Sequence, residues 1–180
     1  PLELVHSFKV LGLTLNDKLK WQENVELMVK KAAKRLYILR VLSRINVPSV
    51  DLLTIYFSLV RSILEYACPV WHTNLPQYLS DKIEHVQKRA FRIIYPGRGY
   101  DDALSTAQCP RLIDRRQILC CKTFKKIQEP TSKLHYLLPL LREDMHGRQL
   151  RNNLDYTVPK CRTDRYKNSF IPTMCSVNPK

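Results

Sequence analysis

Glycine is scarce, with 4 in 180 residues. That excludes Gly-rich phosphate-cradling loops and open β architectures built on tight turns, because glycine is the residue that tolerates left-handed backbone. No two cysteines stand as C-x-x-C, so zinc-finger and thioredoxin-type spacings are missing. Cys68, Cys109, Cys120, Cys121, Cys161 and Cys175 are therefore read as small hydrophobes for a core. There is no apolar run of the roughly 20 residues that a membrane helix needs, and no leader-like segment, which gives the expectation of a reduced, intracellular setting. His6, His72, His85, His135 and His146 have no cysteine or carboxylate at ligand spacing. No Walker loop, nucleophile elbow or dinucleotide fingerprint occurs. The expectation is a chain with no catalytic residues, no metal or other cofactor, no membrane contact and no small-molecule substrate. It opens on Pro1, not Met, and reads as a piece of something longer.

Positive charge is what the chain has in excess. The formal net charge is +14. Residues 1–50 hold 9 Lys/Arg against 4 acids, residues 51–109 hold 6 against 6, and residues 110–180 hold 15 against 6. The middle is balanced and both flanks are basic. Such a surface attracts polyanions, nucleic acid first.

The 44% hydrophobic content is enough for a packed core. Its centre is the stretch Leu52–Trp71, apolar except for one strip of Asp51, Thr54, Ser58, Arg61, Ser62 and Glu65. A helix apolar around most of its circumference is surrounded by other elements. Ser49 is the expected N-cap and Cys68-Pro69 the expected end, and Arg61 and Glu65 are expected to pair with each other or to cap neighbouring elements. Before it, residues 4–15 form a β strand or hairpin containing Gly12, followed by a helix from Trp21 to Arg44. The apolar stripe of that helix is Val25, Met28, Val29, Ala32, Ala33, Leu36 and Leu39. After it, a third helix spans Gln77–Tyr95, with Leu79, Ile83, Val86, Ala90, Ile93 and Ile94 inward and a Glu84–Lys88 pair outward. Short helices follow at Tyr100–Ala107 and Leu112–Ile127, with a turn or two at Leu134–Leu141.

The fold class is mainly α, a helical bundle with a short N-terminal β element. The expected domains are 1–17, a β element; 18–141, the bundle; and 142–180, an extended, partly disordered basic tail.

Gly99-Tyr100-Asp101-Asp102 imitates the Tyr-x-Asp-Asp of polymerases, in which the aspartates hold two Mg²⁺ ions on a tight hairpin. Here one residue is missing and the string opens a helix, where acids complement the dipole. The basic groups are more informative. Lys30, Lys31, Lys34 and Arg35 share one face of the first helix. Lys82, His85, Arg89 and Arg92 make a ridge on the third. Tyr37, Tyr95, Tyr100 and His85 are candidate stacking groups. Charge spread in this way suits a phosphate backbone, and no base-reading motif accompanies it.

The order of several segments resembles a known family. Phe8-Lys9-Val10-Leu11-Gly12 followed by Trp21 resembles the F-x-Y-L-G…W segment of reverse transcriptases from non-LTR (LINE-type, jockey-like) retrotransposons. The region beyond it is matched by Lys30-Lys31-Ala32 with Arg35-Leu36. It is matched again by Tyr56-x-x-Leu59-Val60-Arg61-x-x-Leu64-Glu65-Tyr66-Ala67-x-x-Val70-Trp71 and by Ile83-Glu84-x-x-Gln87-Lys88-Arg89-Ala90-x-Arg92. The last match is Arg162-Thr163-x-Arg165-Tyr166-x-Asn168-Ser169-Phe170-Ile171-Pro172. Val10 departs from the Tyr usual there. The resemblance implies the C-terminal part of such an enzyme: a primer-grip segment with Leu11 and Gly12 near the primer end, then a thumb and post-thumb region. Lys30, Lys31, Lys34, Arg35, Lys82, Arg89 and Arg92 would hold an RNA–DNA template–primer duplex. Fingers, palm and Mg²⁺-binding aspartates would lie upstream, in a parent RNA-directed DNA polymerase working in nucleus and cytoplasm. The rival expectations are a free-standing basic helical module that binds nucleic acid or protein, and an inert retrotransposon relic.

Overall fold

The N-terminal β element is a hairpin. Strand β1 (Ser7–Val10) pairs antiparallel with β2 (Leu13–Asn16), with Val10 opposite Leu13 and Ser7 opposite Asn16. The two turn residues, Leu11 and Gly12, both have positive φ, 46° and 87°. That is the primed turn whose twist matches paired strands, and it explains one of the few glycines. The Tyr66 hydroxyl donates to the Leu11 carbonyl at 2.7 Å. A Cβ on Gly12 would stand 3.2 Å from the Tyr66 ring. Gly12→Ala therefore meets both backbone strain and a crowded ring. We expect it to cost about 1–2 kcal/mol and to speed amide exchange at Leu13 and Thr14, measured by hydrogen-exchange NMR.

A computed structural model describes residues 5–141, 156–157 and 160–177. The described residues are mainly helical, as the hydrophobic periodicity requires. They fall into two compact units. One lies within Pro1–Ala67 and Leu75–Arg115, the other within Cys68–Asn74 and Arg116–Lys180.

In the first unit, helix α1 (Gln22–Arg44) buries Val25, Met28, Ala32, Leu36 and Leu39. The hairpin docks on it through Asn24, whose Oδ1 accepts from the Thr14 amide at 3.1 Å. The Leu52–Trp71 stretch departs most from expectation. Helix α2 (Ser49–Ile55) leads into a π-helical segment, Tyr56–Arg61, and a last α turn, α3 (Ser62–Glu65). Only one stripe is fully buried: Leu52, Tyr56, Val60 and Leu64, at a strict four-residue interval. In a pure α-helix that interval drifts about 40° per step. The wider π turn offsets the drift and keeps the stripe facing the core. On the other side Thr54, Ser58 and Ser62 repeat at the same interval, each hydroxyl donating to the carbonyl four residues back. Such back-bonding bends helices.

Two expected boundaries move. Ser49 does not cap; Pro48 holds extended backbone before the helix, and its carbonyl accepts from the Asp51 and Leu52 amides at 3.1 Å. The run ends at Tyr66-Ala67, with Ala67 at φ 48°, not at Pro69. Pro69 instead lies in the first turn of a new helical turn, α4 (Cys68–Trp71), where its missing N–H costs nothing.

Helix α5 (Gln77–Ile94) packs directly along α1, and the Leu52–Trp71 stretch contacts both helices. Helix α5 buries Leu79, Ile83, Val86, Gln87, Ala90, Phe91 and Ile94. Phe91 replaces Ile93 in the expected inner face, and its ring meets Tyr56 edge-on at 5.5 Å. Helix α6 (Tyr100–Thr106) carries Asp101 and Asp102 in its first turn, and Asp101 pairs with Arg111 at 2.6 Å. Arg61 pairs with Glu65 at 3.3 Å, as expected, and Arg115 approaches the same oxygen at 3.4 Å. These contacts bring charges together without well-directed hydrogen bonds.

Buried polar groups tie this unit together. The Tyr56 hydroxyl donates to Gln87 Oε1. Gln87 Nε2 donates to the Tyr100 hydroxyl at 2.9 Å and the Pro110 carbonyl at 3.2 Å. Tyr100 donates in turn to Glu84 Oε1. Glu84 Oε2 accepts from the Leu112 amide at 3.0 Å, at the start of helix α7 (Leu112–Gln128), where a carboxylate also complements the helix dipole. Glu84 thus faces inward and is not the outward partner of Lys88. Burial pushes the Tyr56 phenol well above its ordinary pKa. Burial and the Glu84 bond do the same for Tyr100. Both phenols stay protonated and keep donating.

In the second unit, the rest of α7 buries Cys120, Phe124 and Ile127. Residues of the expected tail are helical here: α8 (Asp164–Lys167), capped by Thr163, and α9 (Phe170–Ser176). Pro172, Met174 and Cys175 of α9 are buried, and Met174 and Cys175 cluster with Cys120, Phe124 and Tyr156. Pro172 is tolerated because it lies in the first helical turn. Residues 142–155, 158–159 and 178–180 of that expected tail lie outside the described residues. Four of the six cysteines are buried, as small hydrophobes are.

Arg116 is fully buried over the Trp71 ring, 5.7 Å away, and its Nε donates to His72 Nδ1 at 3.3 Å. Burial, then the Arg116 charge, lowers the His72 pKa to about 4. The unfolded chain takes up a proton near pH 6.5 that the folded unit refuses until about pH 4. His72 thus contributes stability that is whole above 6.5 and lost as pH falls to about 4, roughly 1–2 kcal/mol after solvent screening. We expect His72→Phe to remove that slope, read by urea unfolding of Trp71 fluorescence in a Trp21→Phe background.

Candidate nucleic-acid interface

Helices α1 and α5 set out the basic side chains because their inner stripes fix which faces remain. Lys30, Lys31, Lys34 and Arg35 are all exposed on α1, and none pairs with an acid among the described residues. Leu27 and Tyr37, half or more exposed, share that outer surface, so it is mixed and not purely charged. On α5, Arg92 is exposed and Arg89 half-buried. Lys82 is differently placed. It pairs with Glu26 of α1 at 3.5 Å and lies over the Tyr78 ring, which makes it a link between the two helices. An exposed pair of this kind is worth about 0–1 kcal/mol, so it leaves Lys82 able to exchange partners.

The candidate stacking groups separate. Tyr37 is 66% exposed, and His85 is exposed. Tyr95 has Arg98 over its ring at 5.8 Å. Tyr100 has Lys88 at 5.3 Å and Arg111 at 5.9 Å, and its hydroxyl belongs to the buried network. Each ring already carries at least one of the protein's own cations.

The hairpin brings Leu11 and Gly12 to this same unit. Leu11 is 87% exposed at the turn. Gly12 lines a cleft of about 590 Å³ with Lys9, Leu13, Thr14, Asn24, Lys31 and Tyr66 among its walls. The fold therefore joins Gly12 of the hairpin and Lys31 of α1 at one place, which sequence spacing does not show. It adds Lys9 of the Phe8–Gly12 segment. Among the described residues there is no cluster of His, Cys, Asp and Glu arranged to hold a metal, and no helix long and apolar enough to cross a membrane.

No family model, curated protein or solved structure matches this chain.

Proposed function

We propose that the chain holds an RNA–DNA template–primer duplex within an RNA-directed DNA polymerase of a non-LTR retrotransposon. In this reading Lys30, Lys31, Lys34, Arg35, Lys82, Arg89 and Arg92 meet the phosphate backbone, and Leu11 and Gly12 approach the primer end. Catalytic aspartates and their Mg²⁺ belong to fingers and palm domains encoded upstream, and the setting is intracellular. The chain alone extends no primer.

The observation that carries the reading is the exposed cation set on α1, which has no acid partner among the described residues and shares one unit with the Gly12 hairpin. Exposed lysines that neither pair nor pack are what a phosphate strand uses, since binding releases its counterions.

The test is fluorescence anisotropy with an RNA–DNA duplex across a salt series. Affinity falls steeply with salt. Changing Lys30, Lys31, Lys34 and Arg35 to Glu weakens binding by at least about tenfold for every duplex sequence and flattens the salt slope. Unchanged affinity in that variant leaves the ridge an ordinary solvated face and ends the proposal.

A further inference from the structure

Residues 160–168 belong to the second unit and carry Lys160, Arg162, Arg165 and Lys167 against a single acid, Asp164. All five side chains are exposed, and none forms an ion pair among the described residues. Unpaired positive charge at this density attracts anions. The segment is also held in one shape. Thr163 Oγ1 accepts from the Tyr166 amide at 3.3 Å and caps α8. The Ser169 hydroxyl donates to the Tyr166 carbonyl at 2.7 Å, and the Thr173 hydroxyl to the Lys167 carbonyl at 3.3 Å. Helix α9 then fixes the segment to the core, with Met174 and Cys175 buried and the Phe170 ring meeting Phe124 at 6.4 Å. The backbone that displays these cations is therefore ordered in advance, which lowers the entropy cost of binding.

The arrangement narrows the kind of anion. Successive helical residues turn by about 100°, so Arg165 and Lys167 of α8 point apart. A chain of anionic groups can meet both; one small anion cannot. Residues 160–168 include no aliphatic side chain. A protein hot spot or an inserted membrane anchor needs apolar area beside its charge, and this segment offers none. What it offers is the ring of Tyr166, 50% exposed. No cation lies over that ring among the described residues, in contrast to Tyr95 and Tyr100. An open aromatic face among phosphate-binding cations suits an unpaired base, which presents its own face; in a duplex the bases are stacked on one another.

We propose that residues 160–168 form a contact site for single-stranded nucleic acid. Arg162, Arg165 and Lys167 meet phosphates along the strand, and one base stacks on Tyr166. The site stands on the second unit alone and does not need the duplex interface on α1 and α5. RNA and DNA strands share this chemistry, and oligothymidylate beside oligouridylate in the same assay separates them.

Fluorescence anisotropy of the full chain with labelled oligouridylate tests this. Arg162→Glu combined with Arg165→Glu weakens binding at least about tenfold and flattens the salt slope. Tyr166→Ala weakens it at least about fivefold, the loss of one stacked base, and leaves the salt slope unchanged. Tyr166→Phe, which keeps the ring, keeps the affinity. An abasic strand of the same length retains the phosphates without the bases, and Tyr166→Ala does not change its binding. All the altered side chains are exposed, and circular dichroism checks that each variant is folded. Unchanged affinity in the double Glu variant overturns the proposal. So does a Tyr166→Ala protein that loses no affinity, or that weakens the abasic strand or a blunt duplex as much as oligouridylate. Polyglutamate competing as well as the strand also overturns it, because the segment would then read charge alone. Blunt RNA–DNA duplex reports the cations of α1 and α5, so failure of duplex binding leaves the Tyr166 result standing.

Discussion

Leu64→Asp should leave the first unit unfolded. Leu64 is fully buried at the end of the stripe Leu52, Tyr56, Val60, Leu64. A carboxylate placed there must stay charged in an apolar site or take up a proton, and either costs several kcal/mol on top of the lost leucine packing. The neighbouring cations give no rescue, because Arg61 and Arg115 already share Glu65, and a second carboxylate beside Glu65 adds repulsion. The total, roughly 5 kcal/mol or more, matches the whole stability of many domains. Circular dichroism and urea titration would show the loss of a cooperative transition. Leu64→Met, similar in volume, should cost less than about 1.5 kcal/mol. A cooperative Leu64→Asp protein with near-normal midpoint would show that this stripe is not the core. Duplex binding should fail in Leu64→Asp only because the fold does.

That stripe also shows how far sequence reading reaches. The stretch from Leu52 was legible as a core element from its run of apolar residues, and the pairing of Arg61 with Glu65 from their four-residue spacing. The narrowness of its buried face was not legible. Ile55, Phe57, Leu59 and Ile63 are apolar yet only partly buried, because hydrophobicity says what a residue tolerates, not what covers it. A π turn leaves no mark in composition either. Its trace is the strict interval of four, shared by the buried stripe and by Thr54, Ser58 and Ser62, and that interval reads as an ordinary helix unless the drift is calculated.

The C-terminal helices were hidden for a different reason. Phe170, Ile171, Met174 and Cys175 have helical spacing, but over seven residues the pattern is too brief to stand out from a polar, arginine-rich stretch. Burial of Met174 and Cys175 comes from Cys120, Phe124 and Tyr156, distant in sequence. Tertiary contacts, not local periodicity, make that segment helical. At the candidate interface, the basic faces of α1 and α5 followed directly from their apolar stripes. The cleft did not, since it needs the hairpin turn, the start of α1 and the end of α3 to meet.

Gln87→Leu should be the most damaging change among the polar residues. Gln87 sits where the inner stripe of α5 calls for an apolar residue, four positions after Ile83 and four before Phe91, and it is fully buried. An exposed polar residue there would signal nothing; a buried one signals a network. Leucine fills the space but removes one acceptor and two donors. Tyr56, buried and held protonated, loses the oxygen that accepts its hydrogen bond. The Pro110 carbonyl loses its bond at 3.2 Å, and Tyr100 keeps only Glu84. Stranding such groups costs about 1–3 kcal/mol each, so roughly 3–4 kcal/mol is expected from the shift in the urea midpoint. The cost belongs to the stranded partners, not to Gln87 itself. Tyr56→Phe added to Gln87→Leu should therefore restore at least about 1 kcal/mol, a non-additivity that contacting residues show and distant ones do not. Strict additivity would mean that the Tyr56 hydroxyl finds another acceptor, and that packing, not the polar chain, joins the π-helical segment to α5 and α6.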